Sequence, residues 1–369
     1  MTPTTVHLIA AARPNFMKIA PVYHALKAQD WCRPVLVHTG QHYDANMSDN
    51  FFRDLNLPAP DHHLGVGSGT HAVQTAKVMM AYEELCFAEQ PDWVVVAGDV
   101  NSTAACALVA AKLCIPVAHL EAGLRSGDRR MPEEINRIVT DALADLLWTP
   151  SPDGDENLRA EGIPAHKIVR IGNVMIDAYE MMRGRIEQEE TRCQFDLPKQ
   201  GYGVVTLHRP SNVDDPKVLG TIVEQLKHVA TKIPIVFPVH PRTRDRLSQA
   251  NLLDELSGTA GITCVEPMGY LAFMSLVQDA KLIITDSGGV QEETTYLNIP
   301  CLTLRDTTER PITVTQGTNR LVPPAELQQA VEKALAGDWP SGKCPALWDG
   351  HAAQRVAESL KARLESDSR

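Results

Sequence analysis

Residues 119–137, HLEAGLRSGDRRMPEEINR, decide how the middle of this chain folds. The apolar run at residues 115–120 is typical of a buried strand, and it ends at Glu121. A loop rich in Gly, Arg and Asp follows, and Pro132 with Glu133 behind it is typical of the first turn of a helix. A strand that ends in one carboxylate and a helix that begins with another are therefore expected to meet at one edge of a sheet.

This edge is a candidate site, because ligands of open α/β sheets bind where the strands end. Two carboxylates there, Glu121 and Glu133, among several arginines, favour acid–base chemistry on an anionic substrate. The stretch alone leaves an alternative open, a salt-bridged loop that caps a helix. The arginines are Arg125, Arg129, Arg130 and Arg137.

Length, composition and charge narrow the class of protein. A chain of 369 residues, with 44% hydrophobic and 22% charged residues, is typical of a soluble globular protein of two domains. The net charge of -11 argues against nucleic acid as a partner. The N-terminal apolar run ends in Arg13 without a basic lead-in of signal-peptide type, and no segment approaches the roughly 20 apolar residues that span a bilayer. We therefore expect a cytoplasmic protein without a membrane partner.

The cysteines give no sign of a metal site. None of the eight belongs to a CxxC pair, and most lie inside apolar runs. This pattern is typical of reduced cysteines buried in the core of a cytosolic protein. We therefore predict no metal, and we expect the cysteines to be buried.

Strand-like and helix-like segments alternate along nearly the whole chain. This alternation predicts an α/β fold with parallel, doubly wound sheets. Residues 194–201 have the composition of a domain boundary. We therefore predict a Rossmann-like domain over residues 1–190 and a second one over residues 201–350, the two facing a cleft that holds a ligand. Residues 351–369 are predicted to form a helix that packs across the domain junction.

Two more strand ends in the first half carry charged side chains. Asp99 follows a buried apolar strand. Arg13 and Lys18 follow the first strand and are expected to face the same sheet edge as Glu121. The alternatives are that Asp99 merely caps the next helix and that both cations are solvated.

The second half carries a comparable turn, DSGG at residues 286–289, between a strand and a helix. Bare backbone N–H groups at a helix N-terminus suit a phosphate group, and Glu293, one turn further on, is placed to reach ribose hydroxyls. The turn is neither a GxGxxG nor a Walker loop, so a tight turn without a ligand is the alternative. His208 and His240 end two other strands of this half.

Together these motifs resemble those of the non-hydrolysing UDP-N-acetylglucosamine 2-epimerases, enzymes of two-domain, GT-B-like architecture. The matching pieces run in order through nearly the whole chain and are specific jointly rather than singly. They are RP at 13–14 with Lys18, HTGQH at 38–42, GD at 98–99, EAGLR at 121–125, PEEINR at 132–137, HR at 208–209, DSGGVQEE at 286–293 and TERP at 308–311.

The resemblance implies an isomerase that interconverts UDP-GlcNAc and UDP-ManNAc. The C2 proton of the sugar is not acidic enough for simple removal, so the family's route is elimination of UDP to a glycal and re-addition on the other face. The resemblance also implies a homodimer and no cofactor. The alternatives are a 2-epimerase of another UDP-sugar, such as UDP-2,3-diacetamido-glucuronate, a hydrolysing variant, a GT-B glycosyltransferase and a non-catalytic UDP-sugar binding protein.

The resemblance assigns roles residue by residue. It places three acids at the sugar, Asp99, Glu121 and Glu133, with the first two nearest C2 and C3. It implies that Arg137 orients Glu133 and that His208 serves catalysis by stabilising the departing diphosphate. Met268 and Phe273 match positions that cradle the uracil. The residues expected to bind substrate or UDP are Arg13, Lys18, Arg137, His240, Met268, Phe273, Ser287, Gly288, Gly289, Glu293 and Arg310.

Three departures limit what the resemblance implies. Several bacterial members carry HRRE where this chain has HRPS at residues 208–211, and the Arg and Glu of that motif help to hold a second, activating UDP-GlcNAc. The activating site is therefore not carried over to this chain. Members often have RPE where residues 13–15 read RPN, and WDGH at residues 348–351 replaces a YGDG-type turn.

Overall fold

The computed structural model describes residues 3–11, 13–40 and 52–367. The chain divides into two compact units, the first formed by Met1–Met181 with Ala346–Arg369 and the second by Met182–Pro345. The C-terminal helix thus belongs to the first unit. Among the described residues, no helix combines the length and the apolar character that crossing a membrane requires.

Each unit is built around one parallel β-sheet. Within the described residues the strands are β1 (Thr4–Ala10), β2 (Cys32–His38), β3 (His62–His63), β4 (Trp93–Ala97), β5 (Val117–Leu120), β6 (Leu146–Thr149), β7 (Ile168–Arg170), β8 (Gly203–Thr206), β9 (Ile235–Pro238), β10 (Ile262–Val265), β11 (Leu282–Thr285), β12 (Cys301–Thr303) and β13 (Asn319–Leu321). The strand order is β3-β2-β1-β4-β5-β6-β7 in the first unit and β10-β9-β8-β11-β12-β13 in the second. All neighbouring strands pair in parallel.

Helices connect the strands in both units. The described α-helices are α1 (Arg13–Lys27), α2 (His71–Glu89), α3 (Asn101–Lys112), α4 (Pro132–Leu143), α5 (Pro152–Ala160), α6 (Val174–Glu189), α7 (Pro210–Val213), α8 (Pro216–Ala230), α9 (Pro241–Gln249), α10 (Leu253–Ser257), α11 (Tyr270–Gln278), α12 (Gly288–Tyr296), α13 (Pro311–Thr315), α14 (Leu327–Leu335) and α15 (Ala352–Asp367). Single 3-10 turns lie at Ala165–Lys167, Thr191–Phe195 and Pro324–Glu326.

The prediction of doubly wound parallel sheets is confirmed in both units. The strand order reverses next to β1 in the first sheet and next to β8 in the second, as in Rossmann-like folds. Strands β4 and β11 are buried along their whole length, as expected of a parallel sheet covered on both faces.

Some elements were not predicted. Strand β3 consists of two histidines and has no apolar run. Helix α11, YLAFMSLVQ, is apolar nearly all round, so it lacks the amphipathic period that predicts a helix. The sequence also predicts a helix over residues 47–55, and residues 47–51 of it lie outside the described part of the chain.

The prediction that the cysteines are buried is only partly right. All eight are free thiols, but Cys114, Cys193 and Cys344 are exposed. Cys114 ends an apolar run, and yet it lies in the turn after α3 with a φ of 59°. An apolar sequence around Cys114 therefore does not mean that Cys114 itself is buried.

The segment before α15 anchors that helix to the first unit. The ring of Trp348 is buried, and its Nε1 donates to the carbonyl oxygen of Pro150 at 2.9 Å. The carboxylate of Asp177 accepts from the backbone N–H of Ala352 at 3.1 Å and of Ala353 at 2.7 Å. Asp177 therefore supplies the acceptor that the first turn of α15 needs.

We expect Trp348→Ala to destabilise the first unit by about 3–5 kcal/mol, because it removes a buried indole and leaves a cavity. Trp348→Phe is the matched control: it keeps one aromatic ring but loses the pyrrole part of the indole and the hydrogen bond, so it should cost less than Trp348→Ala. Urea unfolding followed by hydrogen exchange of the β4 and β5 amides measures both. Equal stability of Trp348→Ala and the parent chain would contradict this account of how α15 is held.

Candidate active site

The first candidate site lies at the carboxyl ends of β1, β4 and β5. The strand order of the first sheet reverses between β1 and β4, and ligands of doubly wound sheets bind at such a point. The turn after β4 carries Asp99, the turn after β5 carries Glu121, and α1, which follows β1, carries Lys18. The side chain of Arg13, predicted to lie here too, is outside the described part of the structure.

Lys18 and Glu121 form a buried ion pair at this edge. Nζ of Lys18 lies 2.5 Å from Oε2 of Glu121, and both residues are buried. Helix α1 begins at Arg13, so Lys18 lies in its second turn. The structure therefore excludes the alternative that Lys18 is a solvated surface charge.

The backbone of Glu121 has an uncommon conformation. Its φ is 69°, in the left-handed region that residues with a Cβ rarely adopt. Such a conformation costs of order 1–3 kcal/mol and clusters at functional sites, where the surrounding structure holds it in place. In this conformation the chain turns away from β5, and the carboxylate of Glu121 faces Lys18.

Gly98 leaves room for the ion pair. A Cβ built on this residue would lie 2.8 Å from Nζ of Lys18 and 3.9 Å from Oε2 of Glu121, and its φ is 67°. Asn15 donates from Nδ2 to the carbonyl oxygen of Ala97 at 2.9 Å and so fixes the end of β4. The residue before Asp99 therefore touches the site of Glu121, which brings the two acid-bearing turns together.

Arg137 joins Asp99 to α4. Its Nη1 lies 2.5 Å from Oδ2 of Asp99, and its Nη2 lies 2.8 Å from Oε2 of Glu134. Asp99 therefore does not serve as a cap of α3. The expectation that Arg137 orients Glu133 is wrong, because the carboxylate partners of Arg137 are Asp99 and Glu134. Glu133 is half-buried in the first turn of α4.

The alternative of a salt-bridged loop is right for part of the stretch. Glu134 accepts from the backbone N–H of Ser126 and of Gly127, each at 2.9 Å. Burial raises the pKa of Glu134, but the N–H of Ser126 and the guanidinium of Arg137 outweigh it, and the pKa is lowered. Glu134 thus holds the loop, while Asp99 is one-third exposed and accessible.

A buried pair that the sequence analysis did not single out connects the two acid-bearing turns. Nδ1 of His119 lies 2.6 Å from Oδ1 of Asp141, and its Nε2 lies 2.8 Å from the carbonyl oxygen of Gly98. Oδ2 of Asp141 accepts from the backbone N–H of Gly123 at 3.1 Å and from Arg125 at 2.7 Å. The sequence did contain a signal for this pair: His119 is a polar residue inside the apolar strand β5, and a buried polar side chain needs a hydrogen-bond partner.

The second candidate site lies at the carboxyl ends of β8 and β11, where the second sheet reverses its order. Asp286 is fully buried and accepts from the backbone N–H of His208 at 3.1 Å, of Arg209 at 2.9 Å, and from Nδ2 of Asn212 at 3.0 Å. Its Oδ1 also lies 3.0 Å from Nδ1 of His208. Burial raises the pKa of Asp286, but these contacts outweigh it, so the pKa is lowered.

The imidazole of His208 is thereby fixed beside that of His240, with 5.6 Å between the ring centroids. Nδ1 of His240 accepts from the backbone N–H of Arg242 at the start of α9. Burial and the neighbouring His208 lower the pKa of His240. Two predicted residues from different strands are thus brought together.

The first turn of α12 is the part of this edge that suits an anion. A Cβ on Gly288 would lie 2.6 Å from Oε1 of Glu309 and 2.9 Å from Nη1 of Arg310, whereas the space at Gly289 is open. Ser287 precedes the helix and makes no side-chain cap. The N–H groups of this turn therefore lie next to a guanidinium and are not covered by a capping side chain.

Three arginines surround two glutamates beside this turn. Glu309 lies 2.8 Å from Arg310, 2.8 Å from Arg305 and 3.6 Å from Arg209. Nε of Arg310 lies 2.9 Å from Oε1 of Glu292. Burial raises the pKa of Glu309, but Arg310 and Arg305 outweigh it and hold the pKa well below its usual range. The five side chains carry one more positive than negative charge, which favours a phosphate ligand.

Glu293 lies one turn into α12 and is buried. Burial raises the pKa of Glu293 to about 7, although the hydroxyl of Tyr270 donates to its Oε1 at 2.8 Å. Tyr270, which was not predicted, opens α11, the helix that also carries Phe273. Met268 and Phe273 are half-buried. In the described residues no cluster of three or more His, Cys, Asp or Glu side chains has the placement of a metal site.

Comparison with known proteins points to one family. The family model for UDP-N-acetylglucosamine 2-epimerase matches residues 24–361. A Methanocaldococcus jannaschii protein named UDP-N-acetylglucosamine 2-epimerase is 46% identical over 322 residues, 85% of this chain and 87% of the relative. A Pseudomonas aeruginosa protein named UDP-2,3-diacetamido-2,3-dideoxy-D-glucuronate 2-epimerase is 42% identical over 357 residues, 95% of this chain and 98% of the relative.

A solved structure is similar over nearly the whole chain. It is the UDP-GlcNAc 2-epimerase of M. jannaschii in complex with UDP-GlcNAc and UDP. It has a TM-score of 0.87 and 42% identity, and the similarity covers 97% of this chain and 100% of that one.

The raised pKa of Glu293 makes the stability of the second unit depend on pH. Between roughly pH 4.5 and 7 the folded chain keeps a proton that the unfolded chain releases, so stability falls as pH rises through this range. We expect Glu293→Gln to remove this slope and to be more stable than the parent by up to about 3 kcal/mol at pH 8, with little difference at pH 4.5.

Urea unfolding followed by hydrogen exchange of the β11 amides, at pH 5 and pH 8, measures the effect of Glu293→Gln. Tyr270→Phe is the control: it removes a hydrogen bond that lowers the pKa of Glu293, so the slope should extend to higher pH. An unchanged pH slope in Glu293→Gln would show that this carboxyl group does not titrate near neutrality.

Proposed function

Because the chain belongs to the UDP-N-acetylglucosamine 2-epimerase family, we propose that it interconverts UDP-GlcNAc and UDP-ManNAc. The observation that carries the proposal is the convergence of the turns bearing Asp99 and Glu121 at the switch point of the first sheet, with Gly98 against Lys18. Epimerisation at C2 needs a group that takes a proton on one face and a group that gives one on the other. Two carboxyl groups brought to one sheet edge meet this requirement.

The reaction proceeds by anti-elimination and re-addition. One carboxylate takes the proton of C2 while the bond between C1 and the diphosphate oxygen breaks, and UDP leaves with the electron pair. The product is a 2-acetamidoglucal. UDP then adds back to C1, and a carboxylic acid protonates C2 on the opposite face. Asp99 and Glu121 serve C2 and C3, and Glu133 is the third acid.

The diphosphate binds at the first turn of α12. Charge develops on its oxygen as the C1–O bond breaks, so donors placed there in advance lower the barrier. The N–H groups at Gly288 and Gly289 supply such donors, and the guanidinium of Arg310 adds to them. The N–H of Ser287 already donates to Oγ1 of Thr285 at 3.0 Å, so Ser287 contributes through its hydroxyl group. His208 stands at the same sheet edge, held by Asp286, and stabilises the same charge.

The nucleoside binds next to the diphosphate. The carboxyl group of Glu293 accepts a hydrogen bond from the hydroxyl of Tyr270. It accepts hydrogen bonds from the ribose hydroxyls in the same way. Met268 and Phe273, apolar and half-buried, offer surfaces for the uracil. These assignments put recognition of UDP on the second unit and proton transfer on the first.

The second candidate substrate is UDP-2,3-diacetamido-2,3-dideoxy-D-glucuronate. The P. aeruginosa relative named for this sugar is 42% identical over 95% of this chain. That sugar carries a carboxylate at C5 and a second acetamido group at C3, so an enzyme for it needs an extra cation at the sugar. At the first edge the described cations Lys18 and Arg137 already contact carboxylates, which favours UDP-GlcNAc.

We also propose that the chain forms a homodimer through α2 and α4. Six large apolar side chains are exposed in the described residues, and five of them lie on these two helices. The five are Val73, Met80, Phe87, Ile135 and Val139. Helix α2 also buries its opposite face, and a helix that is apolar on both faces is typical of one that is covered on both. A second copy of the chain carries the same apolar patch, so the two patches can cover each other, as they do in two-fold dimers.

The test of the proposed reaction is incubation with UDP-GlcNAc in deuterated water, followed by NMR of the sugar. We expect deuterium at C2 and the appearance of UDP-ManNAc, because re-addition takes its proton from solvent-exchanged acids. Parallel incubation with UDP-2,3-diacetamido-glucuronate decides between the two substrates. Free ManNAc would instead indicate a hydrolysing enzyme, and absence of exchange without an acceptor would indicate a glycosyltransferase or a binding protein.

We expect Glu121→Gln to lower C2 exchange by roughly 10³-fold, because it removes a group that transfers the proton. Binding of UDP, measured by calorimetry, should change little, since the diphosphate site belongs to the second unit. Glu156→Gln, on an exposed position of α5, is the matched control and should keep full exchange. Full exchange in Glu121→Gln would remove this residue from the chemistry.

For the dimer, light scattering should give a mass near twice the chain mass of 40.5 kDa. We expect Met80→Glu combined with Phe87→Glu to shift it to the single-chain mass, because buried glutamates would be unpaired. Met181→Glu is the control, since Met181 is also an exposed apolar residue but lies on α6. A monomeric parent chain, or a dimer that survives the double change, would refute this interface.

A further inference from the structure

The hydrogen bonds of His119 determine its protonation. A backbone carbonyl oxygen can only accept, so Nε2, which lies 2.8 Å from the oxygen of Gly98, has to carry a proton. Nδ1 lies 2.6 Å from Oδ1 of Asp141. Either Asp141 is ionised and Nδ1 is also protonated, or Asp141 carries the proton and Nδ1 accepts it.

The surroundings of Asp141 decide between these two states. Its Oδ2 accepts from the backbone N–H of Gly123 and lies 2.7 Å from the guanidinium of Arg125. Oδ2 thus faces two donors, and the neighbouring guanidinium favours the ionised form of the carboxyl group. An ionised Asp141 in turn requires a proton on Nδ1 of His119 as well as on Nε2.

The charges around this imidazolium balance. Arg125 also pairs with Glu161 at 2.6 Å, so two cations face two anions in the cluster of His119, Arg125, Asp141 and Glu161. A fully buried ion pair is costly to break by removing one partner. Ionisable groups next to the cluster include Lys18 and Glu121, which lie beside Gly98, and Asp99 with its partner Arg137. Arg137 also pairs with Glu134.

The pair touches both acid-bearing turns. His119 binds the carbonyl group of Gly98, the residue immediately before Asp99, and Asp141 binds the N–H of Gly123, two residues after Glu121. One buried unit thus holds the turn after β4 and the turn after β5 at a fixed separation. A displacement of either turn by about 1 Å is enough to cost roughly 100-fold in rate.

We propose that His119 is a positioning residue: a protonated imidazolium, held by Asp141, that fixes the turns carrying Asp99 and Glu121 relative to each other. It does not touch the substrate. Its effect on rate rests on the proposed epimerase activity, whereas its charge state is a property of the folded chain alone.

The charge state is tested by ¹⁵N NMR of histidine-labelled chain at pH 8, where solvated histidines are neutral. We expect the imidazole of His119 to show protons on both ring nitrogens, and His119→Asn to remove that signal. A His119 with one unprotonated ring nitrogen at pH 8 would overturn the proposal, whatever the activity of the chain.

The positioning role is tested by two complementary variants. His119→Asn places an amide N–H near the position of Nδ1 and loses the contact with Gly98, while His119→Gln places one near Nε2 and keeps it. We expect His119→Asn to lower kcat for C2 exchange by roughly 100-fold with KM changed by less than about threefold, and His119→Gln to lose less than about tenfold.

Equal losses in both variants that follow their melting temperatures would indicate a merely structural role and refute the proposal, as would full kcat in His119→Asn. If the parent chain shows no C2 exchange, the proposed function fails instead, and ring protonation alone then decides the inference. The two failures are therefore distinguishable.

Discussion

Lys18 and Glu121 face each other in a buried ion pair, and the turns around them are shaped by it. Taking each charge out of water costs several kcal/mol, so the pair persists only at close contact. Close contact needs a left-handed backbone at Glu121 and a residue without a side chain at position 98. Gly98 lies against Lys18 and Glu121, and this close packing fixes the position of the next residue, Asp99. The guanidinium of Arg137 holds the carboxylate of Asp99.

The parts of the fold and site that follow from strand order were predictable from the sequence. Continuous apolar runs such as β4 and β11 mark buried parallel strands, and the residue after each run has to emerge at the same sheet edge. Asp99, Asp286 and Glu121 were located by this reasoning alone. Their partners were not, because a strand end fixes where a side chain starts and not what it touches.

Helix rotation limits sequence reasoning in a specific way. Glu133 and Glu134 are adjacent and chemically alike, yet successive residues on a helix point about 100° apart. Only the packing of α4 on its sheet decides that Glu134 turns inward to Arg137 while Glu133 stays half-buried. The same limit hid the pairing of His119 with Asp141, which lie 22 positions apart on a strand and a helix.

The two candidate edges differ in charge. At the first edge two cations, Lys18 and Arg137, stand against three carboxylates, those of Asp99, Glu121 and Glu134, so negative charge is in excess. At the second edge three arginines stand against Glu292 and Glu309, and the carboxylate of Asp286 makes the count even. A diphosphate therefore meets less repulsion at the second edge, where the start of α12, which has no side-chain cap, adds the positive end of a helix dipole. This difference supports the proposed division of roles, in which the second unit recognises the diphosphate and acids of the first unit transfer the proton.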